Sequence, residues 1–310
     1  MMIHPGFVGI DISKSHLDVF DGTHATPEKL ANNADAIASL VSRWSGQDTF
    51  VLFEATGPYD DLLRRTLAVA GIDFARVNPA RARDFARAIG AIAKTDAIDA
   101  KMLAAMAQTL RPAADQPPSV AHQALADLNK RRDQLVATRK QERARRDSID
   151  DLDITADIDA HIEWLAKRIK AIERKIRDLI TAEPKMAQDQ RLLQSVPGIG
   201  PVAATTVLSL MPELGTRSPK TIAALAGLAP FNVDSGQFRG KRVIKGGRRR
   251  VRQALYMAAL SAMRHNPRLS AFYNAIIERS KAAKIAIIAV ARKLIVICNA
   301  IIRTQTPYRA

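Results

Sequence analysis

Apolar and polar positions in the first hundred residues follow strand periods and helix periods in turn. Short apolar runs at Phe7–Ile12 and Leu17–Phe20 flank a turn over Ser13–Ser15, and Thr49–Phe53 forms a third short run. Runs of this length predict strands. Apolar residues spaced by three and four predict helices over 33–45, 59–70, 79–89 and 96–109. We therefore expect an α/β domain over residues 1–111 that opens with a β-hairpin.

A different pattern follows Pro112, Pro117 and Pro118, which predict a linker over 112–119. Apolar residues then step by four and three at Ile158, Ile162, Leu165, Ile169, Ile172, Ile176 and Leu179. This heptad spacing, with the acidic run Asp150–Asp159 near the reversal, predicts an antiparallel coiled-coil hairpin arm over 120–185. The arm could pack on its own domain or pair with another subunit, and both alternatives stay open.

The last segment, 186–310, is predicted to be mostly helical, with Gly- and Arg-rich loops between 227 and 248. Its longest apolar stretch, Ile285 to Ile302, is interrupted by Arg292, Lys293 and Asn299, which favours a buried or oligomer-facing helix over a membrane span. The single Cys298 excludes a disulfide-built scaffold, and Asp11 inside the first apolar run argues against a signal peptide. We expect a cytoplasmic protein with no membrane partner.

Charge separates these segments sharply. The 310 residues carry 47 Lys and Arg against 31 Asp and Glu, a net charge of +16. Residues 1–118 hold 12 basic and 14 acidic side chains, residues 119–185 hold 15 and 13, and residues 186–310 hold 20 and 4. The excess therefore belongs to the last segment, and a polyanion such as nucleic acid is its natural partner. The alternative is a solvated basic face that serves solubility.

Four carboxylates of the first domain are candidates for a metal site. Asp11 lies on a predicted strand, Glu54 ends another, and Asp96 and Asp99 share one face of a predicted helix because they are three residues apart. Oxygen ligands of this kind suit Mg²⁺, which serves phosphoryl chemistry. Singly, each acid also has a structural explanation as a helix cap or a strand-end surface residue. Their order resembles the RuvC/RNase H-like nucleases.

Two features of the last segment point to nucleic acid. Gly198 and Gly200 in Val-Pro-Gly-Ile-Gly-Pro predict a helix-hairpin-helix-like turn whose backbone N–H groups approach phosphate, with a tight structural turn as the alternative. Downstream, Ser235 precedes a cluster of basic residues: Arg239, Lys241, Arg242, Lys245, Arg248, Arg249, Arg250 and Arg252. Asp-Ser-Gly is by itself an ordinary turn. Among guanidinium groups, however, the Ser235 oxygen could attack a phosphodiester and form a phosphoserine ester.

The motifs together resemble a known family. Their order is Gly-Ile-Asp-Ile-Ser-Lys, Glu-Ala-Thr-Gly-Pro-Tyr, Lys-Thr-Asp-Ala-Ile-Asp-Ala, Val-Pro-Gly-Ile-Gly-Pro, Ala-Gly-Leu-Ala-Pro and Ser-Gly-Gln-Phe-Arg-Gly. This order is similar to that of the DEDD transposases of bacterial insertion sequences, the bridge-RNA-guided recombinases, which join a RuvC-like domain to a serine-bearing domain. The resemblance runs from about residue 7 to residue 300, although the arm matches only in placement.

The resemblance implies specific roles. Asp11, Glu54, Asp96 and Asp99 would bind Mg²⁺, and Ser235 would be the nucleophile of an RNA-guided DNA recombinase. A structured guide RNA would pair with donor and target DNA. Homodimers would assemble to a tetramer, in which the acids of one protomer and the serine of another together form one active site. A nucleoid-associated location follows. The rivals are a RuvC-type metal-dependent junction nuclease without a covalent step, and a catalytically silent nucleic-acid-binding scaffold.

Overall fold

A computed structural model describes residues 2–55, 57–90, 96–115, 119–231, 234–235, 238–239, 243–280 and 282–309. The chain divides into two compact units, Met1–Pro117 and Pro118–Ala310. The first unit holds a mixed sheet and the second is mostly helical, so each is built around its own core.

The first unit is a five-stranded sheet with helices on both faces. Its strands are β1 (Phe7–Ile12), β2 (His16–Asp21), β3 (Pro27–Ala31), β4 (Phe50–Glu54) and β5 (Asp73–Val77). Their order is β3-β2-β1-β4-β5, with β1, β2 and β3 antiparallel in turn and β4 and β5 parallel to β1. The helices are α1 (Ala34–Ser42), α2 (Asp61–Val69), α3 (Pro79–Ala88) and α4 (Asp96–Leu110), with a 3-10 turn at Gly57–Asp60. This mixed sheet is compatible with the RNase H-like fold.

Alternation along the strands divides the first unit into two apolar layers. Val8 and Ile10 of β1 and Phe53 of β4 pack with α1 and α2, whereas Leu52 of β4 packs with α3 and α4. The predicted strands β1, β2 and β4 and the four predicted helices are confirmed within a few residues. The sequence patterns did not predict β3 or β5. The start of the predicted linker lies along β5, because the Asp115 N–H donates to the Phe74 carbonyl oxygen at 2.7 Å.

The second unit begins with two long helices, α5 (Val120–Arg146) and α6 (Leu152–Ala182). Arg146 pairs with Asp159 and Arg132 pairs with Glu173, so the two helices run antiparallel. At one end of this hairpin, Leu125 of α5 and Ile176 of α6 join the core of the second unit. Further along, Leu135, Leu165 and Ile169 form a separate small cluster between the two helices alone. The hairpin is therefore anchored to the core of the second unit at its base, and further along its two helices pack against each other.

The rest of the second unit consists of short and medium helices around one large core. These are α7 (Pro184–Gln194), α8 (Pro201–Leu210), α9 (Pro219–Leu225), α10 (Arg249–His265), α11 (Pro267–Ser280) and α12 (Ala283–Thr304). Two-residue strands form two small ribbons: β6 (Pro230–Phe231) with β9 (Val243–Ile244), and β7 (Asp234–Ser235) with β8 (Phe238–Arg239). Helix α12 is long and apolar enough to span a membrane, and half of its apolar window is buried against the other helices of the second unit.

Candidate functional site

Asp11 and Glu54 lie on the same face of the sheet. Strands β1 and β4 are parallel neighbours whose last paired residues are Ile10 and Phe53, so Asp11 and Glu54 come next in register. Residues in register on parallel strands point to the same side. That side is the one covered by α4, because Leu52 contacts Met102 and Leu103 there. Both acids are partly buried, and the Ile12 N–H donates to Asp11 Oδ1 at 3.0 Å.

Gly9 brings α4 directly onto β1. A Cβ at Gly9 would overlap the carbonyl oxygen of Ala100 and the backbone nitrogen of Ala104, so only glycine fits. Nearer the end of α4, the side chain of Gln108 accepts a hydrogen bond from the His4 N–H at 2.6 Å. The helix therefore runs antiparallel to β1.

The direction of α4 places its first turn beside the two strand acids. From Gly9 to Asp11 the strand advances about 6.6 Å, which corresponds to about four residues of helix. Moving back by four residues from the contact at Ala100–Ala104 reaches Asp99 and Asp96. Asp99 is partly buried, and the side chain of Asp96 lies outside the described residues. The backbone thus directs the first turn of α4, which carries Asp96 and Asp99, towards the end of the sheet where Asp11 and Glu54 lie.

The donor chemistry of this edge suits a hard divalent cation, since all four candidate ligands are carboxylates from three different elements. Among the side chains that the structure describes, no three His, Cys, Asp or Glu groups come together as a closed set of metal ligands. The four carboxylates fit a divalent cation by their chemistry and by the placement of their backbones.

A buried acid six residues after Glu54 was not among the residues predicted from sequence. Asp60, at the end of the 3-10 turn, is 1% exposed, and neither of its carboxylate oxygens has a hydrogen-bond partner among the described residues. Burial raises the pKa of Asp60, and the charges of Arg76 and Arg64 offset only part of that effect. Asp60 is therefore held towards its neutral form, as the desolvation of a carboxylate requires.

Ser235 lies on the small ribbon of β7 and β8, where Ser235 pairs with Phe238 and Asp234 with Arg239. The side chains of Ser235 and Arg239, and all of Lys241 and Arg242, lie outside the described residues. At the base of this segment, Gly247 has a φ of +66° and packs against the backbone of Gly227, where a Cβ would clash. The base of the segment is therefore attached closely to the core of the second unit.

Three of the arginines predicted to bind nucleic acid have partners within the protein. Arg248 donates two hydrogen bonds to Glu213, at 2.7 and 2.6 Å. Arg250 forms a two-point pair with Asp133 of α5, with one bond at 2.8 Å from Nη2 to Oδ1. Arg252 donates to the Gly246 carbonyl oxygen at 2.8 Å. By contrast, Lys245 and Arg249 are exposed.

The Arg248–Glu213 pair shows how these arginines build the base of the basic segment. Burial raises the pKa of Glu213, but the hydrogen bonds and charge of Arg248 outweigh it, so the pKa falls below its usual value. A carboxylate stabilised in this way ties the start of α10 to the turn after α8.

The predicted glycine turn joins α7 to α8. Gly198 has a φ of +105°, and an added Cβ would lie 2.5 Å from the Ala262 Cβ of α10. Gly198 is therefore required by close packing. Gly200 is the N-cap of α8, with Pro201 in the first turn and open space around the position of a Cβ. Of the two glycines, Gly200 is the one whose surroundings leave room for a ligand.

Sequence comparisons match two successive segments of the chain to transposase families. A model of the DEDD transposases of IS110 type matches residues 8–149. A second model, described as the transposase IS116/IS110/IS902 family, matches residues 190–274. The chain belongs to the IS110 family of transposases.

Two relatives of this IS110-family transposase span nearly its whole length. The chain is 28% identical over 313 residues to the pilin gene-inverting protein of Moraxella lacunata, with 97% of each chain covered. It is equally similar to the protein of the same name from Moraxella bovis, over 316 residues. An uncharacterised 43.6 kDa protein of insertion element IS110 from Streptomyces coelicolor is 30% identical over 144 residues, which cover 46% of this chain and 34% of that protein.

The two family models include every predicted site residue of the transposase. Asp11, Glu54, Asp96 and Asp99 fall in the DEDD match, and Ser235, both glycines of the turn and the basic residues fall in the other. Helices α6 and α12 lie entirely outside both matches. The chain is thus a DNA transposase or recombinase of the IS110 family.

Proposed function

We propose that this transposase cuts and rejoins DNA through a covalent bond between Ser235 and a DNA phosphate, assisted by a divalent cation at Asp11, Glu54, Asp96 and Asp99. The observation that carries the proposal is the packing of α4 on Gly9. It draws the two helical acids towards the edge where Asp11 and Glu54 are neighbours in register. Membership of the family supports the DNA substrate.

The four carboxylates have a clear role in this proposal. A cation such as Mg²⁺ held there would offset the negative charge that develops on the phosphate oxygens. Asp11 and Glu54 are partly buried on the side of the sheet that α4 covers, which limits the access of water to them. Without a cation the same four acids would repel the DNA phosphates, whereas the basic segment attracts them.

The serine step balances without any external energy source. A bond forms between Ser235 Oγ and phosphorus as the bond from phosphorus to one deoxyribose oxygen breaks, and the serine proton passes through solvent to that oxygen. Rejoining reverses these changes with the deoxyribose hydroxyl of another strand. The phosphoester energy is therefore retained in the protein-DNA bond.

The basic residues of the second unit supply the nucleic-acid contacts in this proposal. Lys245 and Arg249 are exposed and would contact phosphates, together with Arg239, Lys241 and Arg242. Arg248, Arg250 and Arg252 support these contacts through their bonds within the protein. Gly200 at the start of α8 offers a further backbone contact.

Guidance and assembly complete the proposal. The family resemblance implies a structured guide RNA that pairs with donor and target DNA, and dimers that form a tetramer. The concentration of positive charge in residues 186–310 supports a second nucleic-acid partner, because this segment has 20 basic and only 4 acidic side chains. Low aromatic content, 5%, also supports recognition of bases by pairing rather than by stacking on protein.

A denaturing gel tests the serine step. The purified protein with its co-purifying nucleic acid is incubated with labelled DNA that carries the joined ends of its own element, with Mg²⁺ present. We expect a protein-DNA adduct with the wild type and with Ser270→Ala, a control serine on α11 of the same unit. Ser235→Ala should lose both the adduct and cleavage.

The same experiment separates the rival functions. Cleavage that persists in Ser235→Ala would favour a nuclease that uses water as its nucleophile. DNA binding without any cleavage or adduct by the wild type, unchanged in Asp11→Asn and Glu54→Gln, would favour a scaffold without catalysis. Sequencing of the co-purified RNA tests guidance, since an RNA-free preparation that still recombines DNA would remove the guide from the proposal.

A further inference from the structure

Helix α12 is buried in the core along one face, and the core covers the opposite face only in part, through Ile288. One face packs in the core of the second unit through Ala286, Ile287, Val290, Ala291, Leu294, Ile295 and Cys298. The other face carries Ile285, Ile288 and Ala289 and lines a cavity. Ile285 is 61% exposed. Exposed apolar side chains that line a cavity are suited to contact a ligand.

The cavity has a volume of about 570 Å³, which is in the range of sites for small organic molecules. Its opposite wall consists of Leu228, Pro230, Val243 and Ile244. Pro230 and Ile244 are paired residues of β6 and β9. These two strands frame residues 232–242, which include Ser235. The cavity therefore adjoins the base of the segment that carries the proposed nucleophile.

Two cations flank the apolar floor of the cavity. Lys284 and Arg292 both line it, and they are eight residues apart on α12, or about 12 Å along the helix. No acidic residue is among those lining the cavity, and no described acidic side chain forms an ion pair with either cation. A flat apolar surface between two positive charges is complementary to a base with phosphates on either side.

We propose that this cavity receives a nucleotide of the DNA strand that is turned out of the helix beside the reacting phosphate. This inference rests on the proposed function, because it assumes that DNA reaches the Ser235 segment. The base would lie on Ile285, Ile288 and Ala289, while Lys284 and Arg292 contact the flanking phosphates. Turning out one base has a cost in lost stacking and pairing, which the apolar contact and the two charges would offset.

Fluorescence of 2-aminopurine tests this inference, because the base brightens when it leaves the stack. The probe is placed in turn at each position near the cut in a duplex that carries the joined ends of the element. We expect a several-fold increase at one position with the wild type and with Ser235→Ala. Ala289→Phe, which fills the cavity, should abolish the increase, and Ala271→Phe, at an exposed site on α11, should retain it.

The outcomes distinguish this inference from the proposed function. An adduct at Ser235 without an increase at any position overturns the cavity site and leaves the serine chemistry intact. An increase of equal size in Ala289→Phe also overturns it, since the base would then stack elsewhere. An increase that requires the cavity, with no adduct, supports the nucleotide site and contradicts the role of Ser235.

A charge test uses the same DNA. Lys284→Gln and Arg292→Gln should each weaken binding several-fold and reduce the dependence of log K on log salt by about one. Lys293→Gln is the matched control, because Lys293 lies beside Arg292 in sequence but is placed over the ring of Phe272, 4.2 Å from its centroid. Equal effects of all three substitutions would show general charge attraction and overturn the specific contacts.

Discussion

Gly9 of β1 lies against the carbonyl oxygen of Ala100 in α4, and the missing side chain is what allows the helix to touch the strand. This contact fixes the position of the first turn of α4 along the direction of β1. It therefore connects one glycine of the first strand with the placement of two acids nearly ninety residues later.

Gly9→Ala should disrupt this contact and the acid edge together. The added Cβ meets backbone atoms of α4 that no side-chain rotation can move, so we expect a loss of about 1–3 kcal/mol in the free energy of unfolding. The rate of DNA cleavage should fall by more than the loss of folded protein explains, because α4 shifts away from Asp11 and Glu54. Urea unfolding and cleavage assays on the same preparation measure both effects. Wild-type cleavage by a well-folded Gly9→Ala variant would contradict the proposed geometry.

The pair between Arg248 and Glu213 should contribute to stability rather than only to DNA binding. Arg248→Ala leaves a partly buried carboxylate without its partner, so we expect a loss of about 1–3 kcal/mol without DNA. Adding Glu213→Gln should recover part of it. Arg249→Ala is the matched control, because Arg249 is exposed and should affect DNA binding with little change in stability.

The same pair predicts a pH dependence. The pKa of Glu213 is lower in the folded protein than its ordinary value of 4.5, so the stabilisation is complete above that value. It is lost as the pH falls through the lower folded pKa. Thermal unfolding between pH 3 and pH 7 should show a smaller acid-dependent decrease for Glu213→Gln than for the wild type.

Asp60 should show the opposite dependence. Its pKa in the folded protein is raised above 3.8 by burial, so the native state binds the proton more tightly than the unfolded chain. Stability from this group is greatest at low pH and falls as the pH rises from about 3.8 through the folded pKa. Asp60→Asn removes the cost of burying an ionised carboxylate and keeps the shape of the side chain. The melting temperature of this variant, relative to that of the wild type, should therefore increase as the pH rises from 4 to 8. A gain that shrinks over this range would show that Asp60 is a stabilising anion.

Cys298 should be unreactive in the native protein. It is fully buried in α12, and burial raises the pKa of its thiol to about 12. At pH 8 the reactive thiolate is therefore a minute fraction, and reagents have no access to it. Reaction with a disulfide reagent should be complete in denaturant and negligible in buffer over an hour. Rapid labelling of the native protein would indicate frequent opening of the second unit.

Much of the first unit follows from sequence alone. Alternation in β1 placed Asp11 opposite Ile10, and the three-residue spacing of Asp96 and Asp99 placed them on one helix face, because side-chain direction depends only on local backbone geometry. Strands β3 and β5 escaped prediction for a physical reason. Both are edge strands, and the exposed polar positions of β3, in Pro-Glu-Lys-Leu-Ala, conceal its alternation.

The local sequence pattern also located the basic segment, but it could not show which of its arginines form ion pairs within the protein. Asp133 lies 117 residues from Arg250 and Glu213 lies 35 residues from Arg248, and no periodicity connects residues so far apart. Only folding decided that these guanidinium groups pair within the protein while Lys245 and Arg249 stay exposed. Likewise, the sequence determined that α12 is apolar, whereas the packing of the second unit decided which face is buried and which lines a cavity. Pairings between distant segments depend on the whole chain, and side-chain chemistry alone does not contain them.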